Sequence, residues 1–264
     1  MRPAGKLRVV DEAHISTSTV TPVEVDEYAR IAAAEDDHWW YRNTRALAQD
    51  LLGPWLIQHP RILDAGCGPG GNGASFTAHG SVVGVDVSPD ALTYVRARRP
   101  QMVPVRASVE ALPFVTGAFD IALVVTVLYT VTDDARALSE LARVVRSGGA
   151  VLLVEPAFES LRRAHDATVH GQRRYRRRAL TELFDGAGLQ VARATYAYSF
   201  LAPPAAALGA LDRLRDRRHP PAGSDVDKRA LDRVFAPLAM AERRWLAHHD
   251  MAWGTSLVVL ATRA

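Results

Sequence analysis

Apolar residues recur along this chain in two rhythms. From Val23 to Leu52 the period is helical, with Tyr28, Ile31, Trp39, Trp40, Leu47 and Leu51 at apolar positions and Gly53-Pro54 closing the stretch. Beyond it, short apolar runs alternate with helical ones. Arg61–Ala65, Ser81–Val85, Met102–Arg106, Phe119–Val127 and Ala150–Glu155 read as strands. Gly71–His79, a stretch opened by Ser88-Pro89-Asp90, and Asp133–Val145 read as helices. Ser88 is a capping residue, and Pro89 sits where a helix needs no N–H. The nearly unbroken apolar run Phe119–Val127 is of the kind buried on both faces. Strands separated by helical patterns make right-handed crossovers, and so a parallel sheet with helices on both sides.

The last third follows another plan. Arg177–Ala187 is helical and ends at Gly188, Gln190–Tyr198 alternates like a strand, and Thr255–Thr262 is a final apolar strand. Between them, Ala202 to about Met251 is proline-rich and charged, too polar for a core of its own. It reads as a cap inserted before the last strand, serving as a substrate wall or a dimer contact. Residues 1–20 show no period and read as a loose arm. The expected plan is therefore an arm and helical lid over 1–55 and one core over 56–264, with the insertion at about 200–251.

Composition narrows the class. With 264 residues, 48% of them hydrophobic, the chain can bury a core without staples. The single cysteine, Cys67, excludes an internal disulfide and suits a reducing cytoplasm. No secretory pattern opens the sequence, and the longest uncharged run, Ala194 to Leu211, is broken by Pro203 and Pro204, so no membrane partner is expected. Of 32 basic residues only Lys6 and Lys228 are lysine, a skew that a GC-rich bacterial genome produces. The run RRYRRR (Arg173 to Arg178) is basic enough for phosphates but lacks the interleaved aromatics of a nucleic-acid platform. A small-molecule partner is expected, with the chain a monomer or homodimer.

The chemistry concentrates in RILDAGCGPGGNG, residues 61 to 73. Gly66, Gly68, Gly70 and Gly71 allow a tight turn that brings backbone against a ligand at a helix start. The G-x-G-x-x-G spacing alone also fits a dinucleotide. Asp86, twenty positions after Gly66 (86 minus 66), ends the second strand, where a carboxylate accepts hydrogen bonds from a ribose diol. Asp64, two residues before Gly66, would repel a pyrophosphate and attract an ammonium, which favours S-adenosylmethionine over NAD.

Five segments, DAGCGPGGN, VVGVDVS, RASVEALPF, FDIALVVTVLYTV and RVVRSGGAVLLVEP, in this order and spacing, resemble the class I S-adenosylmethionine-dependent methyltransferases. The branch with LPF after the third strand is the most similar. The resemblance implies a Rossmann-like, doubly wound, mostly parallel seven-stranded sheet with a reversed last strand. It also implies that Asp64, Gly66, Cys67 and Gly68 hold the methionine moiety and Asp86 the ribose. Val87 would pack on adenine, Ser108 and Val109 would meet its edge, and Thr126 would close the pocket. The sequence departs from the family twice. Ser108 stands where an aspartate is common, and Leu128-Tyr129-Thr130 replaces a common L-E-H.

The acceptor side is less defined. In EDDHWWYRNTR (Glu35 to Arg45) three successive aromatics cannot all face one core, because neighbours on a helix are about 100° apart. A lid helix would set Tyr41, Arg42 and Arg45 over the cofactor, with Arg42 on the methionine carboxylate. After the fifth strand, His165, Asp166 and His170 cluster where substrate sits, and either histidine is a natural base. Cys67 is a filler, and the adjacent His248 and His249 point apart, so no metal is expected. The expected activity is methyl transfer to an O, N or C atom of a small organic molecule, with secondary metabolism as the setting. An S-adenosylmethionine-binding protein that catalyses or assists a non-methylating reaction, an NAD-dependent dehydrogenase and a nucleic-acid methyltransferase are the alternatives.

Overall fold

The structure is a computed structural model and describes residues 25–163, 166, 169–214 and 232–264. The arm expected over residues 1–20 lies outside them. Seven strands form one sheet in the order β3-β2-β1-β4-β5-β7-β6. They are β1 (Arg61–Ala65), β2 (Ser81–Asp86), β3 (Met102–Arg106), β4 (Phe119–Val125), β5 (Val145–Pro156), β6 (Leu189–Ala197) and β7 (Ser256–Arg263). β1 to β5 pair in parallel, while β7 runs antiparallel to both β5 and β6, the reversed last strand that was expected.

The period-two pattern splits the core in two. Leu63, Val83, Ala122, Val124, Val151, Leu153 and Val259 face one side, where α5 (Asp134–Val144) and α6 (Arg177–Gly186) cover them with Leu138, Leu141, Leu180 and Phe184. Ile62, Val82, Ile121, Leu123, Leu152 and Val258 face the other. There α2 (Trp39–Leu52) and α4 (Pro89–Arg98) supply Trp39, Leu47, Leu92 and Val95.

Several boundaries differ from the sequence pattern. The N-terminal stretch is two helices, α1 (Val25–Ala34) and α2, because the chain turns at Glu35–His38 and the His38 ring accepts the Trp40 N–H at 3.3 Å as a new cap. The helix expected over Gly71–His79 is regular only over α3 (Gly71–Ala74). Beyond it the bonds tighten to three-residue steps, as in Phe76 N–H to Gly73 and His79 N–H to Phe76, in a stretch weakened by glycine. β4 stops at Val125 because Thr126 turns to φ +55°. β5 starts early, since Val145 pairs with Phe119 across a register shift.

The insertion contributes α7 (Ala202–Leu214) and α8 (Asp232–Leu246). Phe235 of α8 meets Trp39 of α2 at 5.5 Å between ring centroids, and Arg243 pairs with Asp50 at 2.9 Å. This helix therefore braces α2 from behind. No helix of the described residues is long and apolar enough to cross a membrane.

Candidate active site

One cavity opens at the carboxyl ends of β1, β2 and β4, roofed by α1 and the start of α2. Its floor is the glycine turn. Gly66 and Cys67 donate to the Val85 carbonyl at 2.7 and 2.8 Å, fastening the turn to β2. Gly66 adopts φ +75°, and a Cβ there would fall within the Val127 side chain. Both features demand glycine. Gly66→Ala is expected to destabilise the fold by about 2 kcal/mol or more and to narrow the cavity, read as a lower melting temperature with weakened cofactor binding.

Three carboxylates take up the turn's own donors. Gly68 N–H donates to Asp86 at 2.9 Å, Gly71 N–H to Glu35 at 2.9 Å, and Gly73 N–H to Asp64 at 2.8 Å. In a pyrophosphate cradle such N–H groups face the ligand. Here carboxyl groups already occupy them, two of which, Asp86 and Glu35, also line the cavity. Arg99, from beyond α4, supplies one charge against Glu35 at 2.8 Å.

Burial raises the carboxyl pKa values across this region. Asp64 is pushed up to about 7 by burial, partly offset by the Gly73 bond, and Glu35 and Asp86 are raised for the same first reason. On the far side of the cavity, Glu155 is raised to about 8 by burial. Unfolded, these groups titrate near their ordinary values of 3.8 and 4.5. Between about pH 5 and 8 the folded state thus holds protons that the unfolded state has released. Stability then falls as pH rises, by up to about 1.4 kcal/mol per pH unit for each group. A melting temperature that declines across this window, with a flatter profile in Asp64→Asn, is the expected result.

The structure gathers most of the expected cofactor residues. Gly66, Cys67, Gly68, Asp86, Val87, Ser108, Val109 and Thr126 all line the cavity. Asp64 does not. It lies behind the turn and caps it through Gly73. Ser108 uses its hydroxyl oxygen to accept the Glu110 N–H at 3.1 Å. Cys67 is buried, and burial raises its thiol pKa well above the ordinary value, which leaves it a filler.

Of the acceptor-side candidates, Tyr41 lines the cavity. Trp39 turns inward against Tyr198, Phe200 and Phe235, the division that a helix imposes on neighbouring aromatics. Arg42 is exposed and does not line the cavity; on the helical wheel it lies a step past Tyr41. His170 is exposed, outside the cavity wall, at φ +57°, while its neighbour Val169 lines the wall. The order His170-Gly171 turns the imidazole away, since Gly171 packs against the Tyr129 ring. His165 lies outside the described residues. Asp166 is paired with Arg174 at 2.9 Å. No described residue of the 200–251 insertion lines the cavity, so its described helices do not form the expected substrate wall.

Sequence reasoning missed four contributors. Tyr28, Glu35 and Asn72 line the cavity, and Glu155 is buried against the backbone of the loop after β4, which lines it too. Glu155 Oε1 accepts the N–H groups of Val127 and Leu128 at 2.9 and 2.7 Å, and Oε2 accepts that of Tyr129 at 3.2 Å. It thereby shapes the loop after β4, whose Tyr129 and Thr130 line the cavity. Strain at Thr126 belongs to the same loop, with its hydroxyl donating to the Val125 carbonyl at 2.7 Å.

A seven-stranded sheet with this order, a reversed β7 and a glycine turn after β1 is the class I methyltransferase fold. Over residues 63–153 the chain fits the model described as Methyltransferase domain. It is 34% identical over 142 residues to a malonyl-[acyl-carrier protein] O-methyltransferase of Pseudescherichia vulneris, across 53% of this chain and 56% of that one. The chain thus spans little more than half the length of that relative. It is 29% identical to an uncharacterized 37.1 kDa protein in transposon TN4556 of Streptomyces fradiae, across 94% of this chain and 74% of that one. The structure of phosphoethanolamine N-methyltransferase 2 of Haemonchus contortus in complex with S-adenosyl-L-methionine superposes with a TM-score of 0.59. That pair shares 16% identity, over 91% of this chain and 57% of the other.

Proposed function

We propose that the chain transfers a methyl group from S-adenosylmethionine to an oxygen, nitrogen or carbon atom of a small organic molecule. The observation that carries this reading is the occupation of the turn's N–H groups by Asp86, Glu35 and Asp64. A cofactor with an ammonium and a sulfonium gains from Asp86 and Glu35 in the cavity wall, and a dinucleotide's pyrophosphate finds the turn's donors taken. When bound, S-adenosylmethionine supplies an already activated methyl group.

The chain's own residues then align and desolvate. Asp86 faces the ribose hydroxyls, with Val87, Ser108 and Val109 around the base. Tyr41, Val127, Tyr129, Val131 and Val169 bound the remaining space. That wall is apolar with two phenols, which suits a small organic acceptor. Burial raises the pKa of both Tyr41 and Tyr129, so each stays protonated and offers a hydrogen bond instead of taking a proton. Transfer then rests on in-line placement and water exclusion. Residues 25–52 serve as the lid, roofing the cavity with Tyr28, Ile31, Glu35 and Tyr41.

Three arginines of the RRYRRR run have internal partners, which supports a small acceptor over nucleic acid. Arg173 pairs with Asp134, Arg174 with Asp166, and Arg177 donates to the Met251 carbonyl at 2.7 Å. We place the acceptor in secondary metabolism and the chain in a bacterial cytoplasm, on its arginine-rich composition and its bacterial relatives.

Incubation with methyl-labelled S-adenosylmethionine and a panel of small hydroxyl, amine and activated-carbon compounds, beside tRNA and acyl-carrier protein, tests this. Label in the small-molecule fraction is expected. Label confined to tRNA or protein contradicts the acceptor class.

A further inference from the structure

The roof of the cavity carries one acidic side chain that is fully engaged. Glu35, just past the end of α1, is 2% exposed. Its Oε2 accepts the Gly71 N–H at 2.9 Å and its Oε1 accepts from the Arg99 guanidinium at 2.8 Å. Asp36 beside it accepts from Arg98 at 2.8 Å and from Arg99 at 2.5 Å, and Arg98 also donates to the Ala32 carbonyl. The end of α1 is thus clasped by two arginines where α4 ends.

These contacts are not equal. Asp36 is largely solvated, and such pairs contribute little, about 0–1 kcal/mol. Glu35 and Arg99 are 3% and 16% exposed in their side chains, and removing one partner strands the other's charge out of water. Glu35 is also the one member of the clasp that lines the cavity and touches the glycine turn. Gly71 has no room for a Cβ because the Glu35 carboxylate lies against it. Three side chains of this segment, Tyr28, Ile31 and Glu35, form its share of the cavity wall, so its departure would open the cavity.

We propose that Glu35 is a positioning residue that latches α1 to the glycine turn through Gly71 and Arg99, and so sets how long S-adenosylmethionine and S-adenosylhomocysteine stay bound. The latch rests on the reading that this cavity holds S-adenosylmethionine. Glu35→Gln keeps the side chain's size and one acceptor for Gly71, but sets an amide against the Arg99 cation. Arg99→Met removes the same pair from the other side, and Arg99→Lys preserves it.

The test is stopped-flow dissociation of S-adenosylhomocysteine together with calorimetric affinity for S-adenosylmethionine. Both Glu35→Gln and Arg99→Met are expected to speed dissociation roughly tenfold with association unchanged, because truncating a buried charge pair acts on the off-rate. Arg99→Lys should stay near wild type, and the double variant should be no faster than either single one. An unchanged off-rate in Glu35→Gln, or additive effects in the double variant, overturns the latch. Should Glu35→Gln fail to fold, an unchanged off-rate in Arg99→Met overturns it equally. Wild-type protein that binds neither compound would remove the cofactor reading first and the latch with it, which separates the two failures.

Discussion

Asp86→Ala is expected to lower the affinity for S-adenosylmethionine by about 100-fold or more. Several interactions meet at this carboxylate. Oδ2 accepts the Gly68 N–H at 2.9 Å and Oδ1 the Ser88 N–H at 2.9 Å, so one side chain fixes both the glycine turn and the start of α4. Its place in the cavity wall would offer the ribose hydroxyls of the proposed cofactor a further partner. Each orphaned buried N–H costs about 1–3 kcal/mol, and a charged hydrogen bond to the ribose adds about 1.5–3. Calorimetry with a parallel melting curve separates the two parts. Asp86→Asn, which keeps one acceptor, should fall between wild type and Asp86→Ala. Unaltered affinity in Asp86→Ala would place the ribose elsewhere.

The second large effect is on stability. Glu155→Ala is expected to destabilise the fold by about 3–5 kcal/mol, since three successive buried N–H groups lose their acceptor at once. For a chain of this size that is a drop of roughly 10 °C in melting temperature. Burial raises Glu155 to about 8 in the folded protein against its ordinary 4.5, so its stabilising contribution is full at low pH and declines as pH rises toward 8. The difference between wild type and variant should therefore narrow from pH 6 to pH 9. A change below about 1 kcal/mol at pH 6 would mean that the loop after β4 is held by its other contacts.

What the sequence disclosed, and what it withheld, follows from the range of the interactions. The strands were legible because a buried parallel strand needs an apolar run whatever its neighbours are, as in Phe119–Val125. The glycine turn at the floor of the cavity was legible because its glycines lie together, and Asp86 because it ends the next strand, which pairs with the strand before the turn. Glu35 and Glu155 were not. An acid at a helix end or a strand end looks solvated in a sequence, and only the approach of Gly71 over 36 positions, or of the 127–129 loop over 26 to 28, makes it structural.

Arg42 shows the opposite error. Its charge suited a carboxylate, but one step along α2 decides orientation, and Tyr41 took the cavity. His170 was proposed on chemistry and proximity in the chain, whereas the φ +57° turn directs Val169 inward. Asp64 was given a charge role at the ligand. Its depth at the end of β1 makes it instead the acceptor for Gly73 behind the turn.

The central claim is that the glycine turn, with its N–H groups held by three carboxylates, binds a cationic nucleoside and not a pyrophosphate. Calorimetric titration of the purified protein with S-adenosylmethionine, S-adenosylhomocysteine and NAD tests it most directly. Micromolar binding of the first two with no heat from NAD is the predicted result. Binding of NAD alone would contradict the account and mean that Glu35, Asp64 and Asp86 give way to phosphate.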